Sequence, residues 1–300
     1  MTPRLTKLAL GIIAPVLALL AAFAITSLVL IIAGDPVWDV WSTILAWPET
    51  RNLSNIIDNG TVLYLSGLAV ALGFRMNLFN IGVDGQYRVA GFAAAVVAGE
   101  AWLPGYLNTA LAIVAAMAVG AVWAGIAGVL RATRGVSEVI STIMLNAIAT
   151  SLVAYLVRRI AVREEGSNII ATKEIPEGSR IPNISIGEGV TAEIYGFVFI
   201  AMLAGLAYWF LLNKTRFGFD LRATGQSTTA AVASGISVKK MTIVAMLISG
   251  AAAGLVGLPI IFGDAYSYGS TFQSGLGFAG IAVALLGRNH PVGIALGAML

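Results

Sequence analysis

Residues 214–240, KTRFGFDLRATGQSTTAAVASGISVKK, decide how this chain is read. They form the only long polar and basic interval in the second half of a very apolar sequence, with apolar blocks before it (194–212) and after it (241–262). The charged residues are Lys214, Arg216, Asp220, Arg222, Lys239 and Lys240, five basic to one acidic. A basic excess in a short loop marks the cytoplasmic face of a membrane protein. Within the loop the pattern predicts a short helix. Ser227 stands at the N-cap, small residues follow from Thr228 to Ser234, and Gly235 can take the left-handed conformation that stops a helix. So short a helix does not persist alone in water and needs a surface to dock on. The alternative is an ordinary connection between two membrane helices.

Composition supports the membrane. The chain has 300 residues, 58% hydrophobic and 11% charged, where soluble domains carry about a quarter charged residues. This predicts an all-α, polytopic transmembrane bundle, a single domain over residues 1–300. The chain has no cysteine, which excludes disulfides and Cys-based metal sites. A net charge of +3 is too small to point to nucleic acid. No G-x-x-x-x-G-K-[ST], HExxH or Cys/His cluster occurs, so no catalytic residue, metal ligand or cofactor is assigned to the chain itself. Arg4 and Lys7 precede an apolar run from Leu8 to Ala33 that is longer than a signal-peptide core. It reads as an uncleaved first helix with a cytoplasmic N-terminus. Cleavage near Ala22-Phe23-Ala24 is the competing reading.

Onward from there, residues 34–52 read as external, with Trp38, Trp41 and Trp47 as interfacial anchors. Two short apolar pieces, 60–74 and 89–99, flank a polar segment from Arg75 to Arg88. They form either a broken membrane helix, tolerated where exposed backbone is buried in protein or lines a cavity, or a cytoplasmic hairpin closed by Gly82 and Gly85. Residues 107–130 span back. Gly120, Ala121, Ala124, Gly125 and Gly128 permit close helix packing, and Arg131 and Arg134 mark the inside. In the next span Glu138, Thr142, Asn146 and Thr150 recur every fourth residue and share one helix face. Such a stripe either lines a wet path or bonds a neighbouring helix.

Span parity places 158–193 outside, a loop of mixed charge: Arg158, Arg159, Arg163, Lys173 and Arg180 against Glu164, Glu165, Glu174, Glu177, Glu188 and Glu193. After the 214–240 loop, 241–262 span outward with Gly250, Gly254 and Gly257 on a small face, and 263–275 turn outside. His290, the only histidine, sits beside Pro291 in a loop or capping position. About eight or nine spans, some broken or short, are expected. The last apolar run, ending at Leu300, reads either as truncated or as a half helix.

Four stretches, in this order, carry a resemblance: Asn77-Leu-Phe-Asn-Ile-Gly-Val-Asp-Gly-Gln86, Ser137 to Asn146, the 214–240 loop, and Gly277 to Gly293. Over residues 55–300 the chain resembles the permease subunits of bacterial ABC importers for simple sugars, nucleosides and branched-chain amino acids, most of all the nucleoside type. The resemblance implies a transport subunit rather than an enzyme, importing nucleosides or simple sugars by alternating access. It implies a separate ATP-binding cassette subunit that holds ATP and Mg, a second permease subunit (the same or different), and an external substrate-binding protein or lipoprotein. The location is the bacterial inner (plasma) membrane, multi-pass. The loop becomes the coupling helix, with Arg222, Ala223, Gly225, Gln226, Ala230, Ala231, Gly235 and Ile236 meeting the ATPase. The expected substrate path takes in Asn77, Asn80, Asp84, Gln86, Glu138, Thr142 and Asn146. Two other readings stay open: an ion-coupled secondary transporter using Asp84 and Glu138, with Asp58 a weaker third, and a non-transporting membrane scaffold.

Overall fold

The computed structural model describes residues 3–162, 170–186, 192–270 and 272–300, which fall into two compact units, Met1–Glu49 and Thr50–Leu300. Arg163, Glu164, Glu165 and Glu188 of the expected external loop lie outside the described residues, as do the side chains of Arg4 and Lys7. In the first unit α1 (Pro3–Ala33) is one continuous helix through Ala22–Ala24. Gly34 turns the chain at φ +83° into a short helix, α2 (Val37–Leu45). Trp41 folds back on α1, its indole nitrogen donating to Ser27 Oγ at 3.0 Å and its ring 4.3 Å from that of Phe23. Trp38 and Trp47 stay exposed.

The second unit is helical with a small β element. Its helices are α3 (Thr50–Phe74), α4 (Val83–Glu100), α5 (Tyr106–Arg134), α6 (Glu138–Ile160), α7 (Val198–Lys214), α8 (Arg216–Gln226), α9 (Thr228–Ala233), α10 (Val238–Ala253), α11 (Leu258–Ile260), α12 (Leu276–Leu286) and α13 (Pro291–Ala298). Strands β1 (Ile184–Ser185) and β2 (Glu193–Ile194) pair antiparallel. Two elements differ from the sequence reading. The piece expected at 60–74 begins ten residues earlier, because Ser54, Asn59 and Thr61 return their side-chain donors to carbonyls one turn back and so continue the helix through polar sequence. The span expected over 241–262 is interrupted. Past Ala253 the backbone bonds shorten to i−3 at Leu255, Val256 and Leu258. Pro259 has no N–H to offer Leu255, and a single π turn follows at Ile261–Ala265.

By length and composition, four described helical stretches can cross a membrane: Thr50–Phe74, Tyr106–Arg134, Glu138–Ile160 and Val238–Ala265. A fifth exists if α7 and α8, bent by 73° at Thr215, count as one span. The bend is built by Thr215, whose hydroxyl accepts from Gly218 N and donates to Leu211 O.

The small residues of α5 and α10 meet face to face, as their spacing predicts. A Cβ placed on Gly250 would sit 2.3 Å from Gly120 O and 2.4 Å from the Ala124 methyl, and one on Gly254 would sit 2.4 Å from Ala116 O. Without side chains the backbones approach closely enough for dispersion to hold the pair where lipid offers no hydrophobic drive. The described parts of residues 158–195 are tied down. Thr109 donates to Ser179 O at 2.6 Å, Ile175 N to Tyr266 O at 2.8 Å, and Tyr195 N to the Asp58 carboxylate at 2.8 Å. Gly250→Leu is expected to split α5 from α10 and cost about 1–3 kcal/mol. Detergent thermal unfolding checks this: the midpoint should fall for Gly250→Leu and hold for Val122→Leu on the exposed face of α5.

Candidate functional site

Helix α3 stops at Phe74 and α4 starts at Val83, and the residues between form a non-helical break inside the bundle. Asn77 turns it at φ +55°. Every backbone group left open there needs a partner, since an unsatisfied one at membrane depth costs several kcal/mol. Asn80 and Gln86 form a reciprocal amide pair: Asn80 Nδ2 donates to Gln86 Oε1 at 3.0 Å, and Gln86 Nε2 donates to Asn80 Oδ1 at 2.8 Å. Asn80 Oδ1 also accepts from Gly82 N at 3.1 Å, and Asn80 Nδ2 donates to Ser249 Oγ at 2.8 Å. The serine passes its own proton to Ala69 O on α3.

From α6, Asn146 closes what remains. Its Oδ1 accepts from Gly85 N at 2.8 Å and its Nδ2 donates to Ile81 O at 2.9 Å. Gly85 N is one of the free donors in the first turn of α4, so Asn146 caps that helix from a neighbour, where no side chain of α4's own cap residue can. The approach requires glycine, because a Cβ on Gly85 would lie 2.8 Å from Asn146 Oδ1. Thr142 and Thr150 bond back to their own helix, at Glu138 O and Asn146 O. The stripe is therefore not uniform: Asn146 reaches across, while the threonines do not.

Both expected acids are paired. Asp84 bridges to Arg88 Nε at 3.2 Å and accepts from Gly275 N at 2.9 Å. Glu138 bridges to Arg131 Nε at 3.2 Å and faces Phe79 N at 3.5 Å. Each is buried, so each charge is compensated where it would otherwise be expensive.

The 214–240 loop holds the predicted short helix. The Ser227 hydroxyl accepts from Ala230 N at 3.2 Å, and α9 ends in a Schellman motif, with Gly235 N donating to Val232 O at 3.0 Å and Ile236 N to Ala231 O at 2.9 Å. Gly235 takes φ +80°. Sequence reading missed α8, which precedes it. Its amphipathic pattern, with Leu221 and Thr224 inward and Phe219 outward, was the available signal.

The expected coupling residues divide. Ala230 lies exposed on α9 with Thr228, Thr229, Val232 and Ala233, while Ala231 is buried beneath them. Gln226 is exposed; Arg222, Ala223 and Ile236 are half-buried. Arg222 donates to Leu212 O at the end of α7. Gly225 packs on the break itself: a Cβ there would meet Arg75 O at 2.4 Å and Met76 Cα at 2.9 Å. Asn77, expected on the path, faces this side instead and donates to Gly225 O at 2.8 Å. A cleft of about 510 Å³ runs between Met76–Leu78, Gln226–Thr228 and Lys239. The break is also pinned from its far side. Arg75 Nη2 and the Tyr208 hydroxyl both donate to Asn289 O, at 2.7 and 2.9 Å, and hold a turn in which Arg288 and Asn289 both have positive φ. None of Ser249, Arg75, Tyr208 or Asn289 stood out in the sequence, because each acts on a partner far along the chain.

Comparison with known proteins follows this geometry. Residues 52–300 match the family model described as branched-chain amino acid transport system / permease component. The chain is 37% identical to the guanosine ABC transporter permease protein NupP of Bacillus subtilis, covering all of this chain (100%) and 85% of that one. It is 32% identical to a glucose ABC transporter permease protein of Haloferax volcanii, over 94% of this chain and 76% of that one. It is 30% identical to the nucleoside ABC transporter permease protein NupB of Lactococcus lactis, over 96% and 81%. No solved structure matches.

Asn146→Leu removes both bonds to the break and leaves Gly85 N–H and Ile81 C=O unpaired. Each loss is expected to cost about 1–3 kcal/mol. Asn146→Asp keeps an acceptor for Gly85 and should fall between wild type and leucine in detergent thermal unfolding. Unchanged stability with lost uptake would reverse this assignment and return Asn146 to the path.

Proposed function

Because the chain belongs to the branched-chain amino acid transport system / permease component family, we propose that this ABC importer permease carries nucleosides, with simple sugars as the second class. The names of its relatives, two for guanosine or nucleosides and one for glucose, support that order. We assign ATP and Mg binding to a separate ATP-binding cassette subunit, delivery to an external binding protein or lipoprotein, and the other half of the path to a second permease subunit. The N-terminus is cytoplasmic in this reading. The membrane is crossed eight times, by α1, α3, α4, α5, α6, α7, the α10–α11 segment and α12, with α13 a partial ninth.

The observation that carries the reading is the seating of the coupling element. Helix α9 is capped at both ends and presents Val232, 62% exposed, while α8 presents Phe219, 63% exposed. Both lie on a polar, basic face where water, not lipid, is the solvent, and exposed apolar groups there suit a protein partner. Behind them Gly225 and Asn77 join the element directly to the α3–α4 break. Closure of the ATP-binding subunits would push α8 and α9 as one piece. The push reaches Arg75–Asn77 through backbone contact and tilts α4 against α6. In this reading Asn80, Gln86 and Asn146 hold the break while the path opens beside it, with Asp84, Glu138 and Thr142 along its wall.

Two outcomes test this. Val232→Arg should leave insertion and thermal stability unchanged and abolish most co-purification of the ATP-binding subunit, with uptake falling at least tenfold. Ala231→Arg, which buries an unpaired charge in the chain's own interior, should instead lower stability. Single cysteines at positions 174 and 228, added to a chain with none, check the topology in intact cells. An impermeant thiol reagent should label 174 and spare 228.

A further inference from the structure

A second cavity, distinct from the coupling cleft, opens between α4, α6, residues 268–270 and Phe272, with a volume of about 370 Å³. That is the size of a small-molecule site. One wall is aromatic. Tyr268 and Phe272 stack with centroids 4.4 Å apart at 28°, Phe92 meets Tyr268 edge-on at 6.0 Å, and Tyr87 lies 6.2 Å from Phe272. These rings support each other, so the wall is rigid before any ligand arrives. The Tyr87 hydroxyl donates to Gln273 O at 2.8 Å, and Tyr268 N donates to Thr172 Oγ1 at 2.9 Å. The opposite wall is the face of α6 that carries Val153, Ala154 and Val157.

Arg88 supplies the polar group. Its Nε is held by Asp84, and among the described residues its guanidinium makes no other hydrogen bond. The two terminal nitrogens remain as donors at the cavity. The aspartate compensates the Arg88 charge, and Arg158 at the rim is the other cation of the lining. A planar ring with carbonyl and ring-nitrogen acceptors fits this combination, since it stacks on one wall and takes paired N–H donors at its edge. A bare polyol has no flat face for the aromatic wall. The rim is formed by Arg158, Ile170 and Ser270, and Ser270 N is bonded to Ile170 O of the external loop. The cavity therefore opens on the side where that loop lies.

We propose that this cavity is an outward-facing subsite that receives the base of a nucleoside, with Phe272, backed by the buried Tyr268, as its stacking wall and Arg88 as its edge donor. The proposal rests on the nucleoside reading above. The probe is 8-azidoguanosine, photolysed on the permease–ATPase complex purified without the external binding protein, with labelled peptides mapped by mass spectrometry. Label is expected in the peptides holding residues 147–158 or 266–275, displaced by excess guanosine and not by ribose. It should fall at least tenfold in Arg88→Gln. Because Arg88 also pairs with Asp84, the second variant is Ala154→Trp. It fills the cavity from an exposed position and should lose the label while ATPase co-purification stays intact. Guanosine-protected label elsewhere, label undiminished in Ala154→Trp, equal displacement by ribose, or no protectable label would each overturn the subsite. Guanosine uptake by the reconstituted importer is measured in parallel. Uptake together with any of those results removes the subsite alone. Absence of uptake for every nucleoside removes the nucleoside reading and the subsite with it.

Discussion

A helix that halts at Phe74 and resumes at Val83 leaves open peptide groups, and those from Asn80 to Gly85, buried inside the bundle except at half-buried Ile81, need partners from the protein. The second unit is arranged around answering them. Asn80 turns back to Gly82 and Gln86, Ser249 of α10 relays a bond from Asn80 to Ala69, and Asn146 of α6 takes Gly85 N and Ile81 O. Four helices, α3, α4, α6 and α10, are thus bound to one break through side-chain amides and one hydroxyl. Space is cleared for them by absent side chains. Gly82 and Gly85 admit Thr142 and Asn146, and Gly277 lets α12 lie against Asp84, where a Cβ would come within 2.3 Å of the Asp84 nitrogen.

The same break meets neighbours on two sides. On the side of α8, Gly225 touches Arg75 and Met76, and Asn77 bonds Gly225 O. On the other side Asp84, two residues after Gly82, holds both Arg88 and Gly275 N. The interruption of α10 at Gly254–Gly257 and the π turn beyond it make a second irregular segment.

Ion pairing gives the acids a different meaning from the one an ion-coupled carrier needs. Asp84 and Glu138 each face an arginine and a backbone N–H. A proton-coupling carboxylate must change charge during the cycle, and here each carboxylate is already committed to an ion pair at 3.2 Å. Asp58, the third acid, accepts from Tyr195 N and ties the chain after β2 to α3.

Features that depend on neighbours within about one turn were legible in the sequence. Ser227 and Gly235 cap α9 as their residue types demand, Arg131 and Arg134 close α5 before Gly135, and the small residues of α5 and α10 mark the faces that meet. The apolar fraction set the all-helical membrane class, and the motif order indicated the permease resemblance. Tertiary structure alone decided the partners. It joined Asn146 to a glycine 61 positions away, chose Arg131 for Glu138, and showed that Gly225 is small because its own chain's Arg75 lies against it. It also divided the loop into a buried Ala231 and an exposed Val232. The reason is range. Caps and periodicity are written in residues three or four apart, whereas the partner of a buried amide is whichever backbone group the packing of distant helices leaves unpaired.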